Sequence, residues 1–157
     1  MPQITPCLWF DTEAEDAAKF YTSIFKNSRI IDVTRYGKDM PQPEGSVMTA
    51  SFELDGQEFL GLNGGPQFRF SEAVSFQVHC ETQEEADDFW DKLTDGGEES
   101  MCGWLKDRFG LSWQIIPKGV TELLSDPDRQ RAERATKAML QMRRLDLEAM
   151  RRAAEGG

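Results

Sequence analysis

One seven-residue pattern occurs twice in this chain, and that repeat restricts the possible folds more than any other feature. EDAAKFY at residues 15–21 and EEADDFW at residues 84–90 carry acids, an alanine and a pair of aromatics in the same order, 69 positions apart. Each copy is preceded by the same punctuation, Thr12 with Glu15 and Thr82 with Glu85. A Thr-x-x-Glu capping box satisfies orphan amide protons at a helix start, the hydroxyl taking one and the carboxylate another. Ala14, Ala17, Ala18, Tyr21, Ile24 and Phe25 then line one face, and Ala86, Phe89, Trp90 and Leu93 line the equivalent face of the second copy. Apolar residues at that helical spacing predict two amphipathic helices, each lying on a sheet.

Strand-like runs surround both helices. Residues 4–10 and 74–80 precede them; residues 29–36, 47–54 and 58–62 follow the first, and 98–103, 104–107 and 111–117 follow the second. Asp55-Gly56 marks a tight hairpin, because glycine tolerates the positive backbone angle that a two-residue turn demands. Arg108-Phe109-Gly110 is the last turn, with Asp107 and Gly110 expected to fix it. A β-α-β-β-β unit occurring twice predicts an α+β domain over residues 1–126, with modules at about 1–65 and 72–118, whose two sheets curve around a central cup. Residues 64–71 are the expected hinge. A long helix is predicted over 128–154, within a C-terminal extension at 127–157. Residues 128–154 lack Gly and Pro and are rich in good helix formers, and Ala132, Ala135, Met139, Met142, Ala149 and Ala153 form a stripe that must rest on the body or a partner.

Composition removes several function classes. The formal net charge is −10, distributed as +3 over residues 127–157 and −13 over the remainder, a balance that repels phosphate backbones and argues against nucleic acid as a partner. No apolar run approaches the roughly 20 residues of a membrane span, and MPQITPCLWFDTEAED has no basic start followed by an apolar leader, so a cytoplasmic location is expected. Cys7, Cys80 and Cys102 are scattered and odd in number, which fits reduced thiols rather than a disulfide framework. His79 is the single histidine, so sites built on several imidazoles are excluded.

The doubled βαβββ order, together with CGWLKDRFGLSWQIIP at residues 102–117, resembles the vicinal-oxygen-chelate superfamily, which includes glyoxalase I and bleomycin-resistance proteins. More closely, LWFDTEAEDAAKFY, FLGLNGG, VSFQVHCETQEEAD, GWLKDRFGLSWQIIP and AMLQMRRLDLEAM resemble the PhnB-like proteins often labelled 3-demethylubiquinone-9 3-methyltransferase. A homodimer is what this resemblance implies. The methyltransferase label finds no support in the residues: Asn63-Gly64-Gly65-Pro66 is a Gly-rich run whose Pro and lack of a following helical pattern read as a loop, with no helix to face a cofactor. Metal-dependent members of the superfamily place one ligand on each of four cup-lining strands. The matching places here fall near Thr5, Gly61, Ser75 and Gln114, a set without carboxylate or imidazole that cannot offset the dehydration of a divalent ion.

A metal-free cup without a cofactor is therefore expected. Strand alternation puts Ser75, Gln77 and His79 on one side of their strand, Thr5, Cys7 and Trp9 on one side of theirs, and Trp104 with Lys106 on a third, while Gln114 joins them through the superfamily match. Convergent polar groups beside aromatic walls suit a small organic ligand. His79 is the natural candidate general base, although no orienting carboxylate is predictable. Three readings stay open: a metal-independent enzyme, a ligand-sequestering protein resembling bleomycin-resistance proteins, for which the acidic body favours a cationic ligand, and a structural or regulatory partner protein acting through its tail.

Overall fold

The computed structural model describes residues 2–156. The chain divides into two compact units, residues 1–70 and 71–157. In the first, β1 (Cys7–Phe10), α1 (Ala14–Ile24), β2 (Arg29–Arg35), β3 (Val47–Leu54) and β4 (Gln57–Asn63) build a four-stranded sheet in the order β1-β4-β3-β2. The second repeats the plan with β5 (Ser75–Cys80), α2 (Gln83–Thr94), β6 (Glu98–Glu99), β7 (Trp104–Lys106) and β8 (Ser112–Pro117) in the order β5-β8-β7-β6. In each sheet the first strand runs parallel to the last and the other pairs are antiparallel. The helix crossing between the first two strands of each unit is what allows that mixed order.

Period-two burial decides which face of each sheet carries the core. In the first unit Leu8, Phe10, Ala50, Phe52 and Phe59 are buried beneath Ala14, Ala17, Ala18 and Tyr21 of α1, with Phe52 stacked on Phe59 at 5.4 Å. Gly61 lets α1 come this close, since a Cβ there would lie 3.1 Å from that of Ala14. In the second unit Leu105, Trp113, Ile115 and Cys80 are buried, as are Ala86, Trp90 and Leu93 of α2. The β3–β4 hairpin turns at Asp55 and Gly56, whose φ values of 46° and 90° are the paired positive angles of a type I′ turn.

Several expectations need correction. The Thr12–Glu15 box does not form: α1 begins at Ala14 after Glu13, whose side chain makes no capping bond to the helix. Asn63 takes over, its buried Oδ1 accepting from Ala14 N at 2.9 Å while Nδ2 donates to the carbonyls of Thr12 and Val47. Thr82 does cap α2, accepting from Glu85 N at 3.0 Å, and Glu85 returns a carboxylate to Glu81 N. The first strand starts at Cys7 rather than at residue 4, and the run at 98–103 is a strand only at Glu98–Glu99. Beyond it Cys102 and Gly103 turn with φ of 61° and 84° and donate to the carbonyls of Met142 and Arg143 at 2.7 Å each.

The single long C-terminal helix is also overturned. Three short helices, α3 (Val120–Leu124), α4 (Arg129–Met139) and α5 (Leu147–Ala154), fold onto one another within the second unit. Residues 140–146 leave the helical path because tertiary partners take their polar groups. Gln83 donates to Leu145 O at 2.8 Å and accepts from Leu147 N at 2.9 Å, and Asp146 caps α5 by accepting from Ala149 N. Arg134 closes the other end with two bonds to Ala154 O, at 2.8 and 2.6 Å. Folding back lets Val120, Ala135, Leu145, Leu147, Met150 and Ala154 share one apolar cluster, which a straight helix would have spread along its length.

Candidate functional site

The face of the second sheet away from α2 carries the polar residues. Its register sets them in rows: Ser75, Ser112 and Lys106 across the first, Gln77, Gln114 and Trp104 across the next, then His79 beside Ile116. The opposite parity, Phe76, Trp113, Ile115 and Leu105, faces the core, with Phe76 packed on Trp113 at 5.6 Å. Side-chain amides link the rows. Gln77 Nε2 donates to Gln114 Oε1 at 3.4 Å, and Gln114 Nε2 donates to Ser75 Oγ at 2.8 Å. That chain fixes the Gln114 amide and leaves the Gln77 carbonyl and the Ser75 hydroxyl proton turned to other partners.

The turn that follows β7 holds this face in place. Asp107, 3% exposed, accepts from Phe109 N at 2.8 Å and Leu111 N at 3.1 Å with one oxygen and from the Trp113 indole at 2.9 Å with the other. Gly110 N returns to Asp107 O at 2.9 Å. The motif GWLKDRFG-x-SWQ thus holds Lys106 and Gln114 on the open face by anchoring Asp107, Leu111 and Trp113 between them in the core. Lys106 pairs with Glu72, which lies just before β5. Hydrogen bonding between the two holds the Glu72 carboxyl below its usual range and raises the Lys106 ammonium above its own.

His79 sits exposed near the end of β5, and no hydrogen bond or ion pair to a carboxylate orients it among the described residues. In the first unit Cys7 is exposed at the start of β1, partial desolvation of its sulfur raising the thiol pKa, and Thr5 precedes the strand in an exposed segment. Trp9 is half-buried and committed to its own unit: the indole donates to Gly65 O at 2.9 Å and meets Phe68 edge-on at 4.9 Å. Gly64 makes room for that ring, which would lie 2.3 Å from any Cβ there. Of the four places matched to metal ligands, Thr5 and Gly61 lie in the first unit, Gly61 turned toward α1, while Ser75 and Gln114 in the second are hydrogen-bonded to each other. Among the described residues no group of three His, Cys, Asp or Glu is placed to hold a metal ion.

Sequence reasoning overlooked Asn63, Glu72, Gln83 and Ser112. Ser112 was legible, because it shares the strand parity of Gln114; the others act on partners distant in the chain and leave no local pattern.

Residues 2–116 match the family model described as 3-demethylubiquinone-9 3-methyltransferase. Among solved structures, a PhnB protein from Bacillus cereus, described under the same methyltransferase name, is 39% identical, with a TM-score of 0.68 across 74% of this chain and 99% of that one. Protein PA1353 from Pseudomonas aeruginosa is 20% identical at a TM-score of 0.62, covering 74% of this chain and 98% of its own. The fosfomycin resistance protein FosX from Listeria monocytogenes, in complex with Mn(II) and sulfate, is 18% identical at a TM-score of 0.50, covering 71% and 88%. These last two likenesses are of fold alone. No curated protein matches the chain.

Proposed function

The chain belongs to the 3-demethylubiquinone-9 3-methyltransferase family, the PhnB-like group of the vicinal-oxygen-chelate superfamily, and from that premise we propose that it holds a small organic ligand on the open face of β5, β8 and β7 without the help of a metal. The observation that carries this reading is the Ser75–Gln114–Gln77 hydrogen-bonded chain beside Trp104 and Lys106 on the face turned away from Phe76, Trp113 and Leu105. Oriented amides next to an aromatic ring recognise a small molecule by both shape and hydrogen bonding.

Donor chemistry supports the metal-free part. FosX is described with Mn(II), whereas the matching places here offer a threonine hydroxyl, a glycine, a serine hydroxyl and a glutamine amide. Neutral oxygens without a carboxylate or imidazole do not fit a divalent ion of that kind. Methyl transfer draws no support from the residues either: Gly64 and Gly65 serve the packing of Trp9, and no helix opens after them to face a cofactor. The unoriented His79 favours retention of the ligand over its conversion. Association as a homodimer belongs to the same reading through the family resemblance.

Mass spectrometry of small molecules released from full-length protein isolated under native conditions tests the site. A retained ligand is expected in the parent and lost in Gln114→Leu, whose melting temperature should stay within about 3 °C because an open face has little packing to lose. Elemental analysis should find substoichiometric metal. One equivalent of Mn, Zn, Ni or Fe per chain, or full ligand retention in Gln114→Leu, overturns the reading.

A further inference from the structure

Among the described residues, Ser112 Oγ is a buried side-chain polar atom without a hydrogen-bond partner. Ser112 is fully buried, yet its strand parity turns it to the open face with Gln114 and away from Trp113. A buried hydroxyl left unpaired is costly and calls for an explanation. Its neighbours supply one. Ser75 stands opposite it on β5 and Lys106 opposite it on β7, and Lys106 reaches Glu72, which precedes β5. The ion pair therefore spans β8 at its first residue, the position of Ser112. Ser75 Oγ accepts from Gln114, so its own proton is available to donate.

We propose that Lys106 with the hydroxyls of Ser75 and Ser112 forms a subsite for the carboxylate of a small organic acid, and that Glu72 occupies the ammonium until such a ligand displaces it. The inference rests on the reading that this face binds ligand. One cation and two hydroxyl donors match a planar monoanion with two oxygens, and the resident Glu72 already demonstrates that a carboxylate fits Lys106. A dianion is less suited, because Glu98 stands opposite Lys106 in register, Glu72 remains nearby and the chain carries −10 overall. Glu72 is 61% exposed, so water-screened exchange of its carboxylate for an incoming one meets little resistance. Trp104 and the two glutamine amides in the adjoining row would receive the organic part.

Benzoate and its neutral isostere benzamide are suitable probes, titrated into full-length ¹⁵N-labelled protein at neutral pH while the side-chain amide signals of Gln77 and Gln114 are followed. Benzoate should bind about tenfold more tightly than benzamide, a difference within reach of one charge-assisted contact. Glu72→Gln removes the internal competitor and should tighten benzoate several-fold; Lys106→Gln should weaken it about tenfold, with benzamide indifferent to both. Ser112→Ala should weaken benzoate while the melting temperature stays level or rises, which separates the subsite from a folding role. Equal binding of the two probes, or benzoate binding insensitive to Glu72→Gln and Lys106→Gln, overturns the carboxylate subsite, and if the glutamine signals still move, the face survives as a binding face. If neither probe moves those signals, the subsite and the reading beneath it fall together.

Discussion

Asp107 is where one side chain does most for the second unit. It binds two backbone amides and an indole from inside the core. Replacing it with alanine leaves buried donors unsatisfied, so Asp107→Ala should lose about 3 kcal/mol in urea denaturation, and a loss below about 1 kcal/mol would contradict this role. Cys80 tests the burial argument chemically. Burial first, and the Glu85 charge second, push its thiol from 9.0 up to about 12. The unfolded chain ionises this thiol from about pH 9 while the folded chain keeps it protonated, so stability falls as pH rises through that interval and the contribution is absent below it. Native Cys80 should accordingly resist iodoacetamide at pH 8 and react once urea unfolds the chain, as read by mass spectrometry.

At the scale of elements, Gln83 decides where the C-terminal helices break. Its amide satisfies Leu145 O and Leu147 N on either side of Asp146, so the backbone there needs no helical partner. Gln83→Ala should cost about 1–2 kcal/mol and speed hydrogen exchange at the Leu147 amide, with α2 still capped by Thr82. The preceding residues explain the misreading. Propensity in residues 128–154 is helical throughout, and Asp128 and Asp146 are both good caps, but only the packing partners choose between one helix and two. The βαβββ pattern was legible for the opposite reason: strand alternation and helix periodicity are local, and each apolar face has a single sheet to cover.

For the whole molecule, the tail is part of the second unit and packs apolar side chains there. Ala135, Leu145 and Met150 are buried with Val120, while Arg144 pairs with Asp87 and Asp91 of α2 and Arg143 with Glu99. The +3 tail thus pairs with acids of the second unit, where Ala135 of the predicted stripe is buried and Met139 and Met142 are partly so. Removing residues 127–157 should uncover Val120, Leu123 and Ile116, lower the melting temperature by several degrees and promote aggregation in analytical ultracentrifugation. Unchanged melting of the truncated chain would show that the cluster contributes nothing to the unit. No helix among the described residues is long and apolar enough to cross a membrane.

The amino-acid order alone determined the two-module α+β plan, the Asp55-Gly56 hairpin, the Asp107 turn and the side of β5 that carries Ser75, Gln77 and His79, because each follows from a period or a turn chemistry confined to a few neighbouring residues. Only the tertiary structure decided that Asn63 replaces Thr12 at the start of α1, that Gln83 divides the C-terminal helix, and that Glu72 pairs with Lys106. In each of those cases a polar group finds its partner across the fold, where hydrogen-bond geometry rather than sequence spacing selects the pair.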